Sequence, residues 1–191
     1  MAELRAVVLV FAVAAVSTVS TVSTLSACSG GGASDTPEPT TEQQSITVTS
    51  KAFSDGDLIP ETFSCDGENV SPPLDWDGVP GAAQSLALVV ADPDAPGGTY
   101  YHWLVTDIPV DITNIGQDSE PDGGVVADNS AGDAAYTGPC PPSGTHHYRF
   151  TIYALSKPTG LPPGSGVDET VDAIGTRAIA SGTLVGTYTR H

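Results

Sequence analysis

A mainly β domain, built from many short strands joined by tight turns, is the fold this sequence predicts, and three observations carry it. The chain of 191 residues holds 21 Gly and 16 Pro, the two residue types that most often interrupt regular elements. Strong helix formers seldom occur in runs. Several segments either alternate polar and apolar residues or run apolar with β-branched and aromatic side chains, and turn residues bound each of them. The length suits one domain of ordinary size.

The first 28 residues read as an export signal. Arg5 gives a thin positive start, and residues 6–16 form an apolar run too short to span a bilayer but suited to a signal peptide. Leu25-Ser26-Ala27-Cys28 then resembles a bacterial lipobox, in which Cys28 becomes the lipidated first residue and anchors the exported protein to the cell membrane. The alternative is an ordinary small-residue cleavage site with a chance Cys. Residues 29–44 are Gly, Ser, Thr, Pro and acid without apolar period, the composition of a disordered tether. The folded domain is expected over residues 45–191.

Ser45-Ile46-Thr47-Val48-Thr49-Ser50 alternates and reads as the first strand. Asp55-Gly56 and Ile59-Pro60 break residues 53–65, which leaves room for a short strand within loops. In Ser71-Pro72-Pro73-Leu74-Asp75-Trp76 the paired prolines hold extended backbone, so Leu74 and Trp76 share a side and bury together. Val79-Pro80-Gly81 turns the chain into an apolar strand over 86–91. Asp92-Pro93-Asp94-Ala95-Pro96 leaves that strand, and His102 opens the next, at 103–105. Ile108-Pro109 ends that pairing, because proline cannot donate to a ladder. Residues 110–135 are acidic and Gly-rich and predict a surface excursion with at most one short strand.

Residues 136–145 form a stiff loop that delivers a strand over 146–155. Along it His146, Tyr148, Phe150, Ile152 and Ala154 share one face, and His147 points the other way into solvent. Asp168 is placed to cap a helix running to about Ala180, with Val171, Ile174 and Ala178 on one stripe and Gly182 ending it. Residues 184–188 close the domain as a strand.

The chain is acidic, with 23 Asp plus Glu against 6 Lys plus Arg and a formal net charge of −17. Glu3 and Arg5 cancel in the leader, so the remainder carries the same charge. Such a surface repels nucleic acid and anionic headgroups at long range, and most of its acids serve solubility. No nucleic-acid partner is expected. Any anionic ligand has to be held by local donors.

A carboxylate- and proline-rich loop that leaves one strand just before a histidine opens the next is a good place for a binding site, although Asp-Pro turns and packed histidines are also common without function. A second stretch shifts the reading. Ser71-Pro72-Pro73-Leu74-Asp75-Trp76, Asp92-Pro93-Asp94-Ala95-Pro96, His102-Trp103 and Gly138-Pro139-Cys140-Pro141-Pro142-Ser143-Gly144-Thr145-His146-His147-Tyr148 together resemble the phosphatidylethanolamine-binding protein family, in its bacterial Raf-kinase-inhibitor-like branch. The resemblance covers about residues 45–190.

It implies an antiparallel β-sandwich with Greek-key character and a few short helices. It also implies a shallow pocket for a small anion, such as phosphate, a phosphoethanolamine or phospholipid headgroup, or acetate, built here from Asp92, His102, Pro142, His146 and Tyr148. No cofactor and no catalysis are implied. The residue types fit: each imidazole can give an N–H to an oxyanion, the Tyr148 hydroxyl gives a third donor, Asp92 can accept from the far nitrogen of a histidine, and Pro142 supplies a rigid wall. With no Lys or Arg in the set, binding should be modest and pH-sensitive. Here only residues 97–101 separate the Asp-Pro loop from His102, fewer than in animal members, which leaves the rim and ligand choice open. The kinase inhibition of animal relatives is not carried over.

Other readings use the same residues. Asp92, His102 and His146 form a possible two-His-one-carboxylate metal set, and they could serve Ser143 as base and orienter in a hydrolase. A protease-inhibitor-type interaction module, docking a protein partner through the pocket loops, is a third. Cys65 and Cys140 form an even pair in an exported domain. A disulfide tying two pocket loops is the expected use, with two buried thiols or one reactive thiol as alternatives.

Overall fold

A computed structural model describes residues 45–190. The expected leader ending at Cys28 and the tether over 29–44 lie outside these residues. In chain order the elements are β1 (Thr47–Thr49), a 3₁₀ turn (Glu61–Phe63), β2 (Leu74–Asp77), β3 (Ser85–Asp92), β4 (Tyr100–Ile108), β5 (Asn114–Ile115), β6 (Val125–Ala127), β7 (Thr145–Leu155), α1 (Val167–Gly175) and β8 (Ala178–Thr189). They pair into a small sheet, β1-β2-β5, and a larger one, β6-β4-β3-β7-β8, and every pairing within the two sheets is antiparallel.

The two sheets face each other across the main core, as the predicted sandwich requires. Val48, Leu74, Trp76 and Ile115 come from the small sheet; Leu86, Leu88, Val90, Trp103, Phe150 and Ile152 come from the large one. The far face of the large sheet is also covered. Ala87, Val89, Leu104 and Leu155 pack there with Ala127 and with Ile174 of α1. This explains why β3 reads as an unbroken apolar run: its even residues face the small sheet and its odd ones face the helix layer.

Three expectations are corrected. Residues 53–65 contain no strand. Phe53, Ile59 and Phe63 are buried as anchors of a looping segment that meets β8 through a bridge from Leu58 to Thr187 and a bond from the Gly56 N–H to Val185 O at 2.8 Å. Residues 110–135 carry two short strands, β5 and β6, because each sheet has an edge there to be covered. The helix ends at Gly175, with Gly166 at its start, and Asp168 lies within the first turn instead of capping it. Ala178 belongs to β8, which begins well before residue 184. The cause is tertiary: β7 is 11 residues long and pairs along its whole length, from Thr145 opposite Thr189 to Leu155 opposite Ala178. That ladder outweighs the local helical pattern beyond Thr176. Gly182 therefore sits inside a strand, where a Cβ would collide with the carbonyl of Ile46. Its bareness lets the chain enter the domain against β8, with the Ile46 N–H donating to Ser181 O at 3.3 Å.

Candidate functional site

The site lies where β3 ends and β4 and β7 begin. On β3, Asp92 continues the inward face of Leu86, Leu88 and Val90, and is 3% exposed. On β7, His146 and Tyr148 continue the inward face of Phe150 and Ile152, as the alternation predicts. On β4 the same alternation would send His102 away from Trp103. A register shift prevents this: Val90 pairs with Trp103 while Ala91 pairs with Tyr101, so His102 is the extra residue of a β-bulge. The bulge turns Tyr101 to the helix side, where it packs against the second core cluster, and leaves His102 beside the inward face.

All five residues named from the sequence line one cleft of about 260 Å³ with Tyr100, Thr137 and Cys140. The rings of His102 and His146 both pack on Tyr148, at centroid distances of 5.2 and 6.5 Å. Asp92 Oδ2 accepts from His146 Nδ1 at 2.7 Å, and its Oδ1 accepts from the Asp94 N–H at 2.8 Å. His102 Nδ1 donates to Thr137 O at 2.7 Å, while the Thr137 N–H donates back to His102 O at 3.0 Å. Carbonyl and carboxylate oxygens cannot donate, so both Nδ1 atoms carry the proton. The uncommitted nitrogen of each ring is Nε2, which donates only when the ring is charged.

Burial pushes the His102 pKa below the ordinary imidazole value, against weaker opposing pulls from the Thr137 carbonyl and Asp92. Burial also raises the Tyr148 pKa, with Asp92 adding to it, so the hydroxyl keeps its proton. Tyr148 is 0% exposed, and its hydroxyl has no hydrogen-bond partner among the described residues. A buried O–H without a partner costs about 1–3 kcal/mol, which a ligand oxygen can recover.

The proline-rich loop forms the opposite wall. Pro141 is buried behind it and Pro142 is exposed at the rim. The wall is tied to residues 63–69 in four places. Cys65 and Cys140 form a disulfide with Cα atoms 5.5 Å apart. The Cys65 N–H donates to Pro139 O at 3.1 Å, the Gly138 N–H to Asn69 Oδ1 at 2.8 Å, and the Tyr136 hydroxyl to Phe63 O at 2.9 Å. A Cβ on Gly138 would strike Phe63 O and Asn69 Oδ1, so only glycine allows this approach.

His147 was expected to point into solvent with no role. It is exposed, yet its backbone N–H and its Nδ1 both donate to Asp94 Oδ2, at 2.9 and 2.7 Å. These bonds hold the Asp94 carboxyl below the usual carboxylate range. Asp92 and Asp94 thus each engage one of two adjacent histidines, Asp92 within the cleft and Asp94 outside it. Spacing offered a signal for this: Asp-x-Asp at a loop start matches His-His at a strand start. Ser143 is exposed and does not line the cleft. Among the described residues, no three His, Cys, Asp or Glu side chains converge in a metal-holding group.

A sandwich whose larger sheet ends in a small cleft offers a place where a ligand can sit. This chain is a member of the phosphatidylethanolamine-binding protein family, whose sequence profile matches residues 49–189. It is 48% identical over 155 residues to a Mycobacterium tuberculosis H37Rv protein named "Putative lipoprotein LppC", covering 80% of this chain and 76% of that one. It is 44% identical over 144 residues to a UPF0098 protein of Methanothermobacter thermautotrophicus, covering 73% and 95%. Among solved structures, E. coli YBCL, described as a new member of the mammalian PEBP family, matches with a TM-score of 0.73 and 31% identity, over 76% of this chain and 99% of that one.

Proposed function

We propose that this protein is a binding module, not an enzyme, that holds a small oxyanion, either phosphate or the phosphoryl group of a headgroup, in the cleft of Asp92, His102, Pro142, His146 and Tyr148. The observation that carries the reading is the buried, unpartnered Tyr148 hydroxyl between two histidines whose Nδ1 atoms are already spent. An oxyanion gives that hydroxyl its acceptor. It also gives each ring, once charged, an acceptor for Nε2–H.

The pH dependence follows in sign. The donor form of each ring is the protonated one, so affinity is highest in acid and falls as pH rises. Burial holds the His102 pKa below the ordinary imidazole value, so its share of the binding is lost earlier as pH rises than that of an ordinary imidazole. Titration calorimetry with inorganic phosphate should show tighter binding at about pH 5.5 than at about pH 8. Tyr148→Phe should weaken binding about tenfold at the acidic pH. Equal affinity at both pH values, together with an unaffected Tyr148→Phe, sinks the reading, and turnover of chromogenic phosphate or ester substrates counts against a pure binding role.

We also propose that the domain is exported and held at the membrane by lipid on Cys28. Support comes from the Leu25-Ser26-Ala27-Cys28 motif and from similarity to a protein named as a lipoprotein. A Cys28→Ala chain should lose labelled-palmitate incorporation and leave the membrane fraction. Its retention there would show another means of attachment.

A further inference from the structure

We propose that a second hollow, separate from the cleft, binds a small organic cation that also carries a carbonyl or hydroxyl oxygen. The anion reading above is independent of it.

Neighbouring residues divide between the two hollows. On β4, His102 lines the cleft and Trp103 lines the second hollow. In the loop before β7, Thr137 and Gly138 line the cleft, while Ala135 and Tyr136 line the other. The second hollow encloses about 230 Å³, room for a small molecule, and its remaining walls come from residues 69–71 and 118–120.

Trp103 supplies the floor. It is 1% exposed, and the Tyr136 ring packs edge-on against it at a centroid distance of 5.7 Å. Its Nε1–H has no hydrogen-bond partner among the described residues. An indole N–H can only donate, and a buried donor left unpaired is costly. The other tryptophan is satisfied: Trp76 Nε1–H donates to Ile112 O at 3.0 Å. Polar groups around Trp103 are spent on other partners. Ser71 Oγ–H donates to Ser119 O at 3.3 Å, Ser119 Oγ–H to Gln117 O at 3.2 Å, and the Tyr136 hydroxyl to Phe63 O. Asn69 Oδ1 accepts the Gly138 N–H, which leaves its exposed amide NH₂ as a further donor at the rim. The floor therefore asks for a ligand that brings an acceptor oxygen.

The mouth makes the opposite demand. Asp118 and Glu120 line the hollow and are exposed, and neither belongs to an ion pair among the described residues. No Lys or Arg is among the lining residues. Asp111 and Asp122 line an adjoining hollow that shares Ser119 and Glu120, so the potential at the mouth is negative and draws a cation. Between floor and mouth, Val70, Ala135 and the Tyr136 ring offer apolar wall to a short carbon chain. A cationic group at one end of such a chain and an oxygen at the other meets all three surfaces. A neutral amide satisfies the floor alone, and an anion is repelled at the mouth.

The test is a proton–nitrogen correlation spectrum of the isotope-labelled protein at about pH 7, where ammonium groups are charged. The chain has two tryptophans, so two indole N–H signals are read, and Trp76, already bonded, is the internal reference. γ-Aminobutyramide should move the Trp103 signal downfield, saturably, and leave Trp76 in place. Valeramide, with a methyl group where the ammonium was, should do the same only at about tenfold higher concentration. Butylammonium, with charge but no oxygen, should produce no downfield shift. A Trp103 signal that no probe moves, equal affinities for the two amides, or a downfield shift with butylammonium overturns the proposal. Phosphate binding in the cleft, read by calorimetry, is untouched by any of these results.

The double variant Asp118→Asn, Glu120→Gln gives an independent check. Both residues are exposed, and Asp118 sits at φ 54°, a conformation that Asn also tolerates, so the fold is kept. γ-Aminobutyramide should weaken about tenfold, to the level of valeramide, while valeramide itself is unchanged. If γ-aminobutyramide keeps its advantage, the two carboxylates do not hold the cation and the site assignment fails.

Discussion

Removing the Cys65–Cys140 disulfide, by reduction or by paired Cys→Ala substitution, should cost about 2–4 kcal/mol of stability. The bridge closes a loop of 75 residues in sequence separation, and long loops release the most chain entropy on opening. For a domain of this size the loss corresponds to a fall in Tm of roughly 6–15 °C. The fold itself should survive. The same wall keeps its bonds from Gly138, Cys65 and Tyr136, and the flanking residues Ser64 and Asp66 stay bound to Tyr188 at 2.8 and 2.9 Å. Because Cys140 lines the cleft, phosphate affinity should drop with the melting temperature. A thermal melt that does not move on adding reductant, with reduction verified by thiol counting, contradicts this account of the wall.

Asp92→Ala should be the most damaging single substitution at the site, at about 3–5 kcal/mol, the usual loss when one partner of a buried ionisable pair is deleted. Both carboxylate oxygens are engaged, and the side chains of Asp92 and His146 are 4% and 9% exposed. Truncation strands His146 Nδ1 and the Asp94 N–H without partners. Asp92→Asn, which offers each of them a polar atom, should lose much less. Urea unfolding reads this as a shift of midpoint at constant slope. An Ala variant within about 0.5 kcal/mol of the parent would mean that water replaces the carboxylate freely, and that the cleft floor is not as dry as the geometry indicates.

Much of this arrangement was legible in the residues, and the failures have physical causes. Period-two alternation placed His146 and Tyr148 on the core face of β7 and paired Leu74 with Trp76, because one register serves the whole strand. The resemblance supplied the sandwich, which the local pattern could not reach. His102 was named from motif alone. Its position depends on a bulge, and a bulge is a mismatch between two strands that neither strand records by itself. The C-terminal helix was drawn too long for a related reason: residues 178–180 carry a helical pattern, but β7 offers them a ladder along its full length. The Nδ1 commitment of His102 was likewise invisible, since Thr137 O is a backbone atom that any residue could supply, whereas Asp92 offered itself as an acceptor for a histidine's far nitrogen.

The crossing of Ile46 over Gly182 has a consequence for how the cleft is displayed. The chain enters the folded domain opposite Ser181, whereas the cleft opens at the other end of β8, where Tyr188 pairs with His146. From Ser181 to Tyr188 is roughly 23 Å of strand at about 3.3 Å per residue. The mouth therefore lies about that far along β8 from the place where Ile46 meets it.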